Sequence, residues 1–225
     1  NSAICLSCIV ILKQVRVGKK NINSYEKVVG KKTITDLKIL SKSLRGKRII
    51  HINSTAQGGG VAEILHSLVP LQQSLGLNSR WYTVSAPKKF FEITKKFHND
   101  FQGAKIAVSP AEFNYYLEVN KALAKSLKKL KADLFVIHDP QPLASWHFAE
   151  RKEPAVSRIH IDLSAPNPKI LNFFLPYLED YDRIVFSLKQ FVPQEIRSGK
   201  AVIIPPAIDP LTLKNRALSK KRACE

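Results

Sequence analysis

The 225-residue sequence contains no methionine, only three cysteines and no long run of apolar residues. Three cysteines are too few for a disulfide framework. Cys5 and Cys8 form a C-x-x-C pair without a second ligand pair, so we interpret them as two reduced thiols. No segment approaches the ~18 consecutive apolar residues of a membrane-spanning helix. These absences predict a cytoplasmic protein, and the missing methionine suggests a fragment of a longer chain.

Acidic residues are also scarce, and the formal net charge is +18. The first 50 residues hold 12 Lys or Arg against 2 acidic residues, and the last 12 residues hold 5 against 1. The segment between them is nearly balanced. It contains no zinc-finger spacing and no aromatic-interleaved RNA motif, so we expect no specific nucleic-acid partner. Motifs of serine hydrolases and zinc enzymes are absent too, and we expect no metal.

The pattern from residue 47 onward alternates short apolar runs with segments of helical periodicity. This alternation predicts an α/β fold, a Rossmann-like doubly wound parallel sheet over residues 48–210. Residues 1–47 form a basic extension with short helices at 25–29 and 34–44, and its apolar start at 3–12 is a strand or an unstructured end. Residues 211–225 begin a linker or basic tail. Predicted strands lie near 48–53, 80–85, 133–138, 155–161, 182–187 and 200–204, and predicted helices near 60–76, 88–99, 111–131, 141–151, 167–180 and 189–197.

Three consecutive glycines, Gly58, Gly59 and Gly60, lie between the first of these strands and the first helix. Glycine allows a ligand to approach the backbone closely, and a helix N-terminus offers free N–H groups. The order strand, glycine loop, helix is therefore typical of a site for phosphate or sugar. The loop is neither G-x-G-x-x-G nor a P-loop, so a simple tight turn is an equal interpretation of the pattern alone.

A second candidate segment is His138-Asp139-Pro140-Gln141-Pro142, at the end of an apolar strand. Ligands of open parallel sheets gather at the carboxyl ends of the strands. The Asp139 carboxylate could accept a hydrogen bond from a substrate hydroxyl, or it could cap the helix that follows. The pattern favours neither.

The third segment contains Arg158, His160 and Asp162 at alternating positions. Side chains of a strand alternate between its faces, so these three are predicted to share one face. Such a face forms either an internal ion pair or the wall of a polar cleft. For His160 alone, a packed and hydrogen-bonded histidine is the commoner interpretation.

Taken together, six segments resemble a known family. They read HINSTAQGGGVAEILHSLVPL, FFEITKKFHN, HDPQP, RIHIDLSAPNP, YDRIVF and IIPPAIDPLTLKN. In this order they are similar to trehalose synthase of the glycosyltransferring type, a retaining GT-B glycosyltransferase, from about residue 20 to about residue 217. The resemblance implies the N-terminal, Rossmann-like half of an enzyme whose two domains face each other across a cleft. The C-terminal, donor-binding domain is expected to be absent from this chain.

The resemblance also implies an activity, the transfer of glucose from ADP-glucose or UDP-glucose to glucose, which forms trehalose with retention at the anomeric carbon. No cofactor other than the nucleotide-sugar substrate is expected. This half is expected to be inactive alone. One alternative is a trehalose phosphorylase of the same fold, and another is a non-catalytic sugar-binding or interaction domain. Expected partners are small-molecule sugars, the nucleotide sugar, the C-terminal domain and, as one option, a second copy of the chain.

The same resemblance implies roles for individual residues. His160 matches a histidine beside the anomeric carbon, and Asp139 matches a carboxylate that contacts the acceptor sugar, so both are expected to be catalytic. The glycine loop matches one that approaches the donor phosphate and the acceptor. Residues expected to bind substrate are Gly58, Gly59, Gly60, Val61, His138, Gln141, Arg158 and Asp162.

Overall fold

A computed structural model describes residues 10–196 and 199–215. The Cys5–Cys8 pair and most of the basic tail lie outside the described residues. Within the described residues, seven strands, numbered β1 to β7 in chain order, form one sheet. Their order in the sheet is β1-β3-β2-β4-β5-β6-β7, and all neighbours are parallel except β1 and β3. This arrangement confirms the predicted α/β class. The strands are β1 (Ile11–Val15), β2 (Arg48–Asn53), β3 (Asn78–Ser85), β4 (Leu134–His138), β5 (Ala155–Arg158), β6 (Arg183–Phe186) and β7 (Ala201–Ile203).

Strand β1 belongs to the segment that the sequence pattern placed before the sheet. It pairs with β3 in antiparallel register, with Ile11 opposite Ser85 and Val15 opposite Trp81. Val10, just before the strand, is completely buried in the main core. The sheet therefore recruits part of the basic N-terminal segment as its edge.

Seven α-helices connect or flank these strands in the described part of the chain. The first helix, α1 (Glu26–Ser41), is interrupted at Gly30, whose φ of 84° and ψ of 153° are not helical. This interruption agrees with the two short helices predicted from the sequence. The predicted helix at 141–151 is instead two short ones, and the predicted helix at 189–197 is a single 3₁₀ turn, Lys189–Phe191. The helices are α1 (Glu26–Ser41), α2 (Gly60–Ser74), α3 (Lys88–Phe101), α4 (Pro110–Leu127), α5 (Pro140–Leu143), α6 (Ser145–Ala149) and α7 (Pro168–Leu178).

Apolar side chains cover both faces of the sheet, as a doubly wound fold requires. On one face, Leu65 and Val69 of α2 pack against Trp81 of β3. On the other, α3, α4 and α7 share an aromatic cluster in which the Phe97 ring lies 5.3 Å from that of Tyr116. None of the helices in residues 10–196 and 199–215 is long and apolar enough to cross a membrane.

The segment after β7 folds back over α1 and α2. Asp209 fastens it, because its Oδ2 accepts hydrogen bonds from Lys20, from the Tyr25 hydroxyl and from the Ser67 hydroxyl. These donors lower the pKa of Asp209 to about 2, against the opposing effect of burial. A mainly apolar groove of about 720 Å³ lies between this segment and the two helices.

Candidate active site

A cavity of about 430 Å³ lies at the carboxyl edge of the sheet, where the sequence pattern predicts ligands to gather. Its volume falls within the roughly 300–1,000 Å³ typical of small-molecule sites. The glycine loop after β2, the turn after β4 and the segment after β5 each contribute side chains or backbone. Of the residues predicted from sequence, the wall includes Gly58, Gly59, Gly60, Val61, Asp139, Gln141 and His160.

The glycine loop has a backbone conformation that would be strained for residues other than glycine. Gly58 has a φ of 72° and Gly59 a φ of 82°. Gly59 is the N-cap residue of α2, and no side chain caps this helix. Local hydrogen bonds order the start of this loop, such as the one of 2.8 Å from the Asn53 side-chain amide to the Thr55 carbonyl. The first-turn N–H groups of α2 are consequently left for a ligand.

Asp139 lies at the turn between β4 and α5 with a φ of 60° and a ψ of 175°. A non-glycine residue in this region costs about 1–3 kcal/mol, and such strain clusters at functional sites. Its side chain does not cap α5. Instead, Oδ1 accepts a hydrogen bond of 2.8 Å from the His160 N–H. Burial raises the pKa of Asp139 to about 7, although this hydrogen bond and the nearby Arg158 guanidinium oppose the rise.

Helix α4 fixes the turn that carries Asp139 and Gln141. The Tyr116 hydroxyl donates to the Pro140 carbonyl at 2.6 Å, and the Asn120 amide donates to the Gln141 carbonyl at 3.2 Å. The side-chain oxygen of Gln141, Oε1, is buried and has no hydrogen-bond partner among the described residues. A buried acceptor without a partner costs about 1–3 kcal/mol of stability.

Three histidine rings form a chain that leads away from the cavity. His160 Nε2 lies 2.9 Å from His138 Nδ1, and His138 Nε2 lies 3.1 Å from His51 Nδ1. The chain ends at Gln72 of α2, whose Oε1 lies 3.0 Å from His51 Nε2. Burial lowers the pKa of His51 and of His160 to about 4 and lowers that of His138 well below its usual value. All three rings are therefore neutral at pH 7.

Three of the residues predicted to bind substrate do not line the cavity. His138 is buried behind His160 as the middle ring of the chain. The Arg158 guanidinium donates to the Ile204 carbonyl at 2.7 Å, and Asp162 Oδ1 accepts from the Ser164 N–H at 2.8 Å. The shared face predicted for Arg158, His160 and Asp162 fails because β5 ends at Arg158, earlier than the predicted residue 161, and the strand alternation stops there.

Other residues of the wall were not predicted from sequence. Asn53 ends β2 and Ser187 follows β6, so both are polar residues at strand ends and could have been found by the rule that identified Asp139. His98 and Gln102 come from the C-terminal end of α3 and its cap. His98 lies in the segment FFEITKKFHN, but the sequence analysis assigned no site role to either residue. Across the described chain, no group of three or more His, Cys, Asp or Glu side chains is placed to hold a metal ion.

Comparisons with known proteins agree with the resemblance of the motifs. A family profile described as trehalose synthase, N-terminal domain, matches residues 51–193. Trehalose synthase of Pyrococcus horikoshii is 41% identical over 210 residues, which cover 93% of this chain and 51% of that protein. Trehalose synthase of Rubrobacter xylanophilus is 37% identical over 218 residues, covering 95% of this chain and 52% of that protein.

More distant similarity extends to two other groups. Trehalose phosphorylase of Grifola frondosa is 26% identical over 84% of this chain and 29% of its own length. A solved structure of an α,α-trehalose-phosphate synthase (UDP-forming) from Burkholderia xenovorans, in complex with glucose-6-phosphate, aligns with a TM-score of 0.49 and 16% identity over 64% of this chain and 41% of that one. This chain spans about half the length of the trehalose synthases that it matches. Because the profile covers more than half of its residues, the chain belongs to the trehalose synthase N-terminal domain family.

Proposed function

We propose that this chain is the acceptor-side half of a retaining glucosyltransferase that transfers glucose from ADP-glucose or UDP-glucose to glucose and so forms trehalose. The observation that carries the proposal is the cavity itself. It brings the glycine loop, Asp139, Gln141 and His160 together at one edge of the sheet, although these residues are far apart in sequence. The family membership supports the choice of substrate class.

The acceptor glucose would be held by the side chains of Gln141 and Asp139. The free Oε1 of Gln141 accepts from one sugar hydroxyl. Asp139, with a pKa of about 7, is partly protonated at neutral pH and can accept or donate a hydrogen bond. Such positioning of the two substrates lowers much of the activation barrier of a two-substrate transfer.

The donor glucose would react between His160 and the glycine loop. Cleavage of its bond to the diphosphate generates positive character at the anomeric carbon and negative charge on the leaving group. The neutral His160 ring adds no opposing positive charge beside that carbon. The uncapped N-terminus of α2 stabilises anionic oxygens. The acceptor proton passes to the leaving phosphate, so this half need not supply a separate general base.

The remaining charge of the diphosphate requires cations, which we assign to a C-terminal domain beyond this half. We expect the 225-residue chain alone to form negligible trehalose from ADP-glucose or UDP-glucose plus glucose. Robust turnover by this chain, measured by chromatography of the product, would refute the assignment.

Acceptor binding is testable on the chain itself by calorimetry with glucose. We expect measurable binding that Gln141→Leu weakens by roughly tenfold, the equivalent of about 1.4 kcal/mol for a hydroxyl left without its partner. The control Gln57→Leu lies in the neighbouring loop, outside the cavity wall, and should bind as the unmodified chain does. Equal affinity for both variants would remove Gln141 from the acceptor site.

A phosphorylase is the second candidate, favoured by the alignment with the Grifola frondosa trehalose phosphorylase along most of this chain. A phosphorylase carrying this half would use glucose 1-phosphate as its donor. Assays of the two-domain protein with glucose 1-phosphate and with ADP-glucose distinguish the two reactions. A non-catalytic sugar-binding domain would bind glucose and turn over neither donor.

A further inference from the structure

We propose that Gln72 sets the tautomer of His160 through the chain of three histidines, which makes Gln72, His51 and His138 positioning residues for the cavity. The inference rests on the proposed function only in giving His160 a role beside the reacting sugar. We call the hydrogen-bonded series Gln72–His51–His138–His160 the relay. Its existence follows from the contacts between these side chains. Its members span β2, α2, β4 and the segment after β5.

The direction of the relay follows from the hydrogen-bonding capacity of each group. A neutral imidazole has one nitrogen that donates and one that accepts. The Gln72 side-chain oxygen can only accept, so His51 Nε2 carries a proton and His51 Nδ1 does not. His138 must then donate from Nε2 to His51 Nδ1. His160 must in turn donate from Nε2 to His138 Nδ1.

His160 is left with an unprotonated Nδ1, which has no hydrogen-bond partner among the described residues. It is therefore the one ring nitrogen of His160 that remains for a ligand. A lone pair on this nitrogen accepts a hydrogen bond from a sugar hydroxyl and is compatible with a carbon gaining positive charge. The reversed relay would present an N–H group instead, whose dipole opposes that charge.

Gln72 is suited to setting the tautomers because it lies at the end of the relay that is farthest from the cavity. It is half-buried on α2, and its side-chain nitrogen has no hydrogen-bond partner in the described structure. Closer to the cavity, His138 is buried and His160 is half-buried. Neither ring has another side-chain partner among the described residues that would fix its proton. Substitution at position 72 can thus reverse the relay without altering the cavity wall.

The test is nitrogen-15 NMR of the histidine rings in the 225-residue chain at pH 7.5, with signals assigned by single His→Gln variants. We expect Nε2-protonated rings for His51, His138 and His160. Gln72→Glu keeps an acceptor and should preserve this pattern. Gln72→Lys supplies only donors and should move all three protons to Nδ1. His66, whose Nε2 bonds separately to the Ala56 carbonyl, is the internal reference and should not change.

Glucose affinity gives the functional readout. Gln72→Lys should weaken glucose binding by roughly tenfold, as expected for one lost hydrogen bond of about 1.4 kcal/mol. Ser74→Lys adds the same charge at an exposed position on the same helix and should not weaken it. If Gln72→Lys does not fold, Gln72→Met removes the acceptor and should give a mixture of His160 tautomers.

An Nδ1-protonated His160 in the unmodified chain, or unchanged tautomers in both Gln72→Lys and Gln72→Met, would overturn the relay. Equal glucose affinity in a Gln72→Lys variant with reversed tautomers would overturn the positioning role. If the tautomers reverse as expected but no variant and no unmodified chain binds glucose, the relay stands and the proposed function fails.

Discussion

The backbone N–H of His160 donates a hydrogen bond of 2.8 Å to Oδ1 of Asp139. The Asp139 N–H in turn donates to the Arg158 carbonyl at 3.0 Å. These bonds join the end of β4 to the end of β5, so the two residues proposed as catalytic form one unit. Asp139 is thereby held in a strained backbone conformation with its carboxyl group at the cavity.

The buried carboxyl group of Asp139 predicts a loss of stability as the pH rises from about 4 to about 7. Its pKa is raised to about 7, so the folded chain binds a proton that the unfolded chain releases near pH 4. Stability is lost as the pH rises through this window, by at most ~1.4 kcal/mol per pH unit. Asp139→Asn keeps an oxygen acceptor for His160, and asparagine tolerates positive φ. In urea unfolding, its stability relative to the unmodified chain should rise between pH 5 and pH 8. A constant difference would contradict the raised pKa.

The buried histidines predict the opposite trend on acidification. The pKa values of His51 and His160 are about 4 in the folded chain, while an unfolded histidine titrates near ~6.5. Their contribution to stability is lost as the pH falls from about 6.5 towards 4. Two or more histidine protons outweigh the single proton of Asp139 in this range, so the free energy of unfolding should fall on balance. Measurement at pH 6.5, 5.5 and 4.5 checks this, and Asp139→Asn should make the fall steeper. An unfolding free energy that does not change with pH in that variant would contradict the lowered pKa values of His51 and His160.

Gly59 and Gly60 provide a matched pair of substitution sites that tests the backbone conformation of the glycine loop. A Cβ atom added at either position meets nothing within 4 Å, but only Gly59 has a positive φ. Gly59→Ala should therefore lose about 1–3 kcal/mol of unfolding free energy through backbone strain alone. Gly60→Ala, at the first residue of α2, should be neutral or stabilising by up to ~1 kcal/mol. Chemical denaturation of both variants measures the difference, and equal stabilities would mean that the loop is not held in this conformation.

The hydrogen bonds of Asp209 are expected to hold the segment after β7 against α1 and α2. Asp209→Ala removes the acceptor shared by Lys20, Tyr25 and Ser67 and should increase amide hydrogen exchange across residues 206–215. Lys214→Ala breaks only an exposed ion pair with Glu63 and should change exchange little. Similar exchange in the two variants would show that Asp209 does not fasten the segment.

The strands and the glycine loop could be predicted because their signals are local. Ile49, Ile50 and Ile52 indicated a strand, and β2 occupies Arg48–Asn53 as expected. Three adjacent glycines before a segment of helical periodicity also indicated the start of α2. The position of Asp139 at the edge of the sheet followed from a general rule about strand ends.

The histidine relay could not be predicted because it depends on which strands are neighbours. His51 and His138 are 87 residues apart, and they meet only because β2 and β4 pair directly. The orientation of the Arg158 side chain depends in the same way on the position of the Ile204 carbonyl, which accepts its hydrogen bond. Local patterns contain neither piece of information, and the alternation rule for residues 158–162 ended with the strand.

Strand β1 has a practical consequence for producing this domain. The family profile begins at residue 51, after β1 and the first residues of β2. A chain trimmed to that match would leave the outer edge of β3 with unpaired N–H and C=O groups and would uncover Trp81 and Val84, which are now buried. An exposed apolar edge is a template for strand addition between molecules. Strand β1 covers this edge in the present chain. We therefore expect shortened versions of the domain to self-associate unless they retain residues 10–47.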